Sequence, residues 1–290
     1  MPSAVRAAEN NPARARSYHG ASCAAPCPLV MIHLSARLVP FLLACSLAGQ
    51  LAASEPALLF IDAIEKAHGA VAWPKDRALQ ADFTIRFGDK GWEGTYTIDR
   101  EMSLVRLDAK DGTTIVFDGK EVWLTPPDSK FSGPRFWIFT PPYFSLLPFK
   151  LRDDGAKLAP AGTKTIDASA HDVAKLTFAA GTGDAPDDWY LLFRDPKSGR
   201  LNATAYIVTY ARDAAKAAAE PHILRYLDFK TVDGVTLSTR WQFFNWNEAG
   251  GQNGAMLGEW TLANMKFVPV TPATFQRPDG ARSVPMDQPR

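Results

Sequence analysis

The chain has 290 residues with a formal net charge of +1, 46% hydrophobic and 22% charged side chains, and three cysteines, Cys23, Cys27 and Cys45. A balance this close to neutral offers no field for nucleic acid or for an acidic membrane surface, so no polyanionic partner is expected. All three cysteines lie early in the chain, which excludes a disulfide framework from everything after Cys45.

Residues 1–30 are rich in Ala, Arg and Pro without apolar periodicity and read as a non-structural extension ahead of the true start, Met31. From Met31 a basic residue, Arg37, precedes an apolar run from Leu38 to Leu47 and then small residues. That order is a secretory signal over 31–54, with cleavage near Ala53 or Ser54 and a periplasmic destination. Cys45 within "LLAC" offers the alternative of a lipid anchor; Leu43, bulky where such sites use a small or β-branched residue, argues against it. The exported part, 55–290, has a net charge of −2, because residues 1–54 carry four arginines and one glutamate.

"PALLFIDAIEKAHGA" opens the exported part as a helix, with Leu58, Leu59, Ile61, Ile64 and Ala67 at helical spacing and Gly69 as its stop. The period then changes to two. "LQADFTIRF" places Leu79, Ala81, Phe83, Ile85 and Phe87 on one face, and "GWEGTYTID" repeats the alternation with Trp92, Tyr96 and Ile98. "SLVRLD", "TTIVFDG" and "KEVWLTPP" follow, then "DVAKLTF", "DWYLLFRD", "RLNATAYIVTY", "HILRYLDF", "VTLSTRWQFFNW" and "GEWTLANMKFV". These are about eleven strands, joined by short links with turn signals at 110–112, 117–119 and 232–234. With one helix before them and no alternation of strand and helix, the sheet is expected to be antiparallel and the protein mainly β (α+β), as one domain over 55–270. "DAAKAAAE" at 213–220 predicts a short helical insertion, and the prolines after Val270 predict an extended or disordered tail over 271–290.

One segment stands apart. "FWIFTPPYFSLLPFK", residues 136–150, is almost uncharged. It is too short and too proline-rich to span a membrane, so it is expected either in the core or against an apolar ligand. Pro141 and Pro142 should end a strand at Phe139, leaving "YFSLLPF" as a turn of helix.

Catalytic signatures are lacking. The exported part has His68, His171 and His222 only; His68 reads as a cation closing the first helix and the others as surface groups. No metal-binding, nucleophile-elbow or phosphate-loop motif appears, so no catalytic residue, metal or cofactor is assigned. Asp184, Asp187 and Asp188 in "GDAPDDWY" lack the ligand series of a calcium loop and read as a solvated turn. The tryptophans are more informative: all eight lie in the strands or at their edges, enough large rings to line a concave sheet as well as fill it.

In order and spacing, "FDGKEVWLTPPD", "FRDPKSGRLNATAYIV" and "YLDFKTVDGVTLSTRW" resemble the LolA/LolB-like lipoprotein-localisation superfamily over about residues 57–268. The resemblance implies an open, unclosed antiparallel β-barrel with an N-terminal helix and a short lid over the hollow. It makes Asp118, Gly119, Trp123, Asp195, Pro196, Gly199, Asp233 and Gly234 hairpin positions. It implies further an apolar cavity for a lipid or acylated ligand, with an envelope lipoprotein or a membrane as partner. The polar latch of such carriers has no matching residue here. The ligand-binding residues expected on this basis are Trp92, Tyr96, Trp123, Phe136, Trp137, Phe139, Tyr143, Phe144, Leu147, Phe149, Trp189, Trp241 and Phe243, in a monomer. Two alternatives stay open. One is an envelope enzyme on a hydrophobic substrate, which needs His171 or His222 to meet Asp187 or Asp188; the other is a partner-binding scaffold with a filled barrel.

Overall fold

The computed structural model describes residues 55–249 and 251–286, all within one compact unit, Ser46–Arg290. The extension, the signal and Cys45 lie outside the described residues. Helix α1 covers 55–68. It buries Phe60, Ile61 and Ile64, while Leu58 and Leu59 are 48% and 62% exposed. The expected stripe included both leucines; the buried stripe runs instead through Ala57, Phe60, Ile61, Ile64 and His68, whose spacing of three and four places the pair on the opposite side.

Among the described residues thirteen strands form a single sheet. In chain order they are β1 (Arg77–Phe87), β2 (Lys90–Ile98), β3 (Val105–Ala109), β4 (Thr114–Phe117), β5 (Val122–Thr125), β6 (Ala156–Ile166), β7 (Ser169–Phe178), β8 (Tyr190–Arg194), β9 (Leu201–Tyr206), β10 (His222–Val232), β11 (Val235–Asn247), β12 (Gly251–Pro269) and β13 (Arg282–Ser283). The order across the sheet is 13-5-4-3-2-1-12-11-10-9-8-7-6, with antiparallel neighbours. Two meanders, β1–β5 and β6–β12, are thus stitched together by the pairing of β1 with β12.

That topology explains the apolar segment. The link from β5 to β6 joins strands at opposite ends of the sheet and must therefore cross its hollow face. It carries helix α2 (Pro134–Leu146), followed by a 3-10 turn, Leu147–Phe149. Helix α2 contains Pro141 and Pro142, where the sequence reading ended a strand at Phe139. At its C-terminal end, where Pro148 has no N–H to offer the Phe144 carbonyl, that carbonyl accepts from Tyr226 Oη at 2.9 Å, and Ser145 Oγ donates to the Pro141 carbonyl at 3.3 Å while accepting from Tyr96 Oη at 3.0 Å. Tyr96 on β2 and Tyr226 on β10 thereby hold the C-terminal turn of α2 from two sides of the hollow.

The main core lies between the hollow face and the helices, with Ile138, Phe144, Leu146, Leu147 and Phe149 packed among strand residues. Aromatic rings cross it in series: Trp241 stacks on Trp260 at 5.5 Å, Trp260 on Phe83 at 4.8 Å, and Phe83 meets Trp92 edge-on at 5.1 Å. A second, smaller cluster around Phe193, Ile223 and Trp246 sits on the other face of β7–β11.

Three local features complete the fold. His68 is 2% exposed; its Nδ1–H donates to the Thr236 carbonyl at 2.8 Å and its Nε2 accepts from the Leu201 amide at 3.1 Å. Burial drives its pKa down to about 4, so it is a neutral staple between α1, β9 and β11 and not the helix-end cation expected. Gly69 takes φ 70° where a Cβ would stand 2.0 Å from the Gly234 carbonyl oxygen in the β10–β11 turn, so only glycine lets α1 end there. The stretch after Val270 is more ordered than its prolines implied: helix α4 (Pro272–Phe275) and β13 follow, Phe275, Ala281 and Val284 are buried, and Arg282 and Ser283 pair with Leu124 and Trp123. The insertion at 213–220 folds as helix α3 (Ala214–Ala219), capped by Asp213 accepting from the Lys216 amide.

Candidate functional site

The link that carries α2 does not fill the hollow. Between α2, the start of β6 and the ends of β7 and β8 lies a cleft of about 540 Å³, within the range of small-ligand sites. Its apolar wall is made by Phe136, Phe139 and Tyr143 of α2 facing Phe117, Phe178 and Tyr190. Helical spacing places the three α2 residues on one side, since 136, 139 and 143 lie three and four apart. Tyr143, Phe178 and Tyr190 pack mutually, with ring centroids 6.3, 5.7 and 5.9 Å apart.

Polar groups stand at two places on this wall. Arg135, on the first turn of α2, makes a two-pronged pair with Asp184 of the β7–β8 loop, Nε to Oδ2 at 2.8 Å and Nη2 to Oδ1 at 2.9 Å, and lies over the Phe139 ring. This ties the first turn of the helix to the β7–β8 loop. Deeper in, Lys150 is buried; its Nζ pairs with Asp153 at 2.6 Å and donates to the Glu101 carbonyl at 2.7 Å. Asp188 is 7% exposed and accepts from the Thr209 amide at 2.6 Å, the Thr209 hydroxyl at 2.7 Å and Tyr190 Oη at 3.2 Å. Burial lifts its pKa to about 6 against the pull of those bonds. The solvated turn expected for "GDAPDDWY" is therefore only part of the truth: Asp187 is exposed, but Asp184 is clasped and Asp188 is buried.

Of the thirteen aromatic and apolar residues expected to bind ligand, Phe136, Phe139 and Tyr143 line the cleft. Trp92, Tyr96, Trp137, Phe144, Leu147, Phe149, Trp241 and Phe243 belong to the packed core instead. Trp123 and Trp189 point the other way. Val122 and Leu124 occupy the inward positions of β5, so Trp123 faces out, donates to Asp118 at 2.7 Å and is covered by Arg277 at 4.3 Å. Tyr190 and Leu192 likewise take the inward positions of β8, and Trp189 packs on Trp246 in the second cluster. Phe117, Phe178, Tyr190 and Asp188 were missed because the cleft is formed by strands from both meanders, which are far apart in sequence.

The histidines do not assemble a catalytic group with the acids. His171, expected at the surface, is instead buried against Phe193 with its ring on the Ser169 carbonyl, on the face away from the hollow, and His222 packs on Tyr206 at 6.0 Å without lining the cleft. Among the described residues no cluster of three or more His, Cys, Asp or Glu could hold a metal ion, and no helix is long and apolar enough to cross a membrane.

No family model matches the sequence, nor does any curated protein. Solved structures do match in shape. A LolA superfamily protein from Nitrosomonas europaea superposes with a TM-score of 0.50 at 11% identity, over 74% of this chain and 97% of the other. A DUF1329 family protein from Desulfovibrio piger gives 0.50 at 12% identity, over 76% and 97%. The chain has a LolA-like fold, an unclosed antiparallel sheet with helices against its hollow face.

Proposed function

We propose that this is an exported, non-enzymatic binding protein that holds an apolar or acylated ligand in the cleft beside α2, as an envelope carrier or store. The observation that carries this reading is the cleft of about 540 Å³ walled by aromatic rings in a LolA-like fold. Burying ten methylenes of an acyl chain there yields on the order of 8 kcal/mol before ordering costs, enough for useful affinity. The binding residues are narrower than the sequence implied: Phe136, Phe139 and Tyr143, joined by Phe178 and Tyr190. The signal over 31–54 supports a periplasmic location, and the near-neutral charge fits a protein with no nucleic-acid partner.

Native mass spectrometry with lipid extraction, on residues 55–290 purified from the periplasm of an expression host, tests it. The expected result is a co-purifying acyl species that Phe136→Ser with Phe139→Ser removes. A clean apo mass with no uptake of any added single-chain amphiphile, whether amine, alcohol, fatty acid or lipopeptide, overturns it. That outcome favours a filled scaffold for a protein partner, a reading supported by the Tyr96 and Tyr226 bonds that fix α2 in the hollow.

A further inference from the structure

The polar groups of the cleft are not balanced. Two of its three cations are committed, Arg135 to Asp184 at 2.7 Å and Lys150 to Asp153 at 2.6 Å. Glu101, Lys120 and Asp154 stand exposed at the rim, where water screens them. Asp188 is different: it is buried and lines the cleft, yet among the described residues no cation lies within ion-pair distance of it. A carboxylate taken out of water without a counter-charge is costly, and chains retain one where a partner arrives from outside. Tyr190 meets it through its hydroxyl, and Tyr143, which packs on Tyr190, lines the same cleft.

We propose that the cleft takes an amphiphile whose polar end is a protonated amine, seated against Asp188, with its chain along Phe136, Phe139 and Phe178. This rests on the cleft being the ligand site and adds the chemistry of the ligand's head. The amine N–H groups donate to Asp188 Oδ2, whose one hydrogen bond among the described residues is the 3.2 Å bond from Tyr190, while Oδ1 stays held by Thr209. A fatty acid would place its carboxylate against Asp188 and is disfavoured.

Decylamine, decanol and decanoate share a chain and differ in the head, so their affinities for residues 55–290, measured by calorimetry, separate head from chain. Decylamine is expected to bind at least about tenfold tighter than decanol, and decanoate weakest. Asp188→Asn should remove the amine's advantage and leave decanol unchanged. A second measurement needs no variant. The titratable groups facing Asp188 are Asp187 on its own loop, Tyr143 of α2, Tyr190 of β8 and Tyr206 of β9, and burial holds the three phenols neutral. Asp188 loses its charge below pH 6, so between about pH 7.5 and about pH 5 the amine-to-alcohol affinity ratio should fall about tenfold. Equal binding of decanol and decylamine overturns the head-group inference and leaves the cleft reading intact, as does tighter binding of decanoate. Failure of all three probes to bind overturns both.

Discussion

Acid should loosen this fold through one residue. His68 has an ordinary pKa of 6.5 and one of about 4 in the fold, because its ring is buried with both nitrogens already hydrogen-bonded. Between those values the unfolded chain takes a proton that the folded chain refuses. Stability from this group is therefore full above pH 6.5 and declines as pH falls toward 4. The gap corresponds to about 3 kcal/mol in all, of which about 2 kcal/mol is gone by about pH 5. Protonation also forces Nε2 to become a donor facing the Leu201 amide, so the staple between α1 and β9 is lost together with the energy. Urea unfolding of residues 55–290 across this range, for the wild type and His68→Gln, isolates the term. Asp188 titrates in the opposite sense and cancels in the difference, since its raised pKa makes acid favour the fold there. The variant should be less stable at neutral pH and lose about 2 kcal/mol less than the wild type on acidification to about pH 5. Parallel pH profiles for the two proteins would refute the assignment of His68 as a neutral, buried staple.

Two further perturbations probe the elements around the cleft. Arg135→Ala breaks a pair whose side chains are 14% and 22% exposed, between the exposed and buried limits. It should cost about 1–3 kcal/mol and speed hydrogen exchange in residues 179–188 and the first turn of α2; unchanged exchange would show that the pair does not tie the helix to the rim. Gly69→Ala must place a Cβ 2.0 Å from the Gly234 carbonyl oxygen at φ 70°. A loss of about 1–3 kcal/mol in chemical denaturation is expected, and a variant as stable as the wild type would mean that the α1 terminus does not bear on the β10–β11 turn.

Much of this architecture can be read from residue order, and the failures have physical causes. Strands with one buried face announce themselves: β1 alternates Leu79, Ala81, Phe83 and Ile85 inward, and the Asp233–Gly234 turn with both residues at positive φ marks the β10–β11 hairpin. Strand β6 was missed because it lies at the edge of the sheet with little buried on either side, which leaves "AKLAPAGTKTI" without a period of two. Its turn to β7, Asp167–Ala168, also has both residues at positive φ but no glycine to signal it. Strand β13 is two residues long and depends wholly on β5 for its pairing. Within the site, the apolar segment was conspicuous, yet its role as a crossing between the two ends of the sheet needs the strand order. Composition says that thirteen large side chains prefer to avoid water; only the inward or outward phase of each strand separates cavity wall from core and from outer face, as Trp123 beside Leu124 shows.

An unclosed sheet has another consequence, for how molecules of this protein meet one another. A closed barrel satisfies every backbone amide within itself, but this one ends in two rows of hydrogen-bonding groups that a second copy could extend. The two ends are defended by different means. At β5 the edge is paired by β13, with Arg282 and Ser283 set against Leu124 and Trp123. At β6, Pro160, the register break between Pro160 and Thr163, and Lys157 and Lys164 make a poor template for any incoming strand. The few residues around Arg282 thus pair part of the sheet's β5 edge, a role independent of anything bound in the hollow.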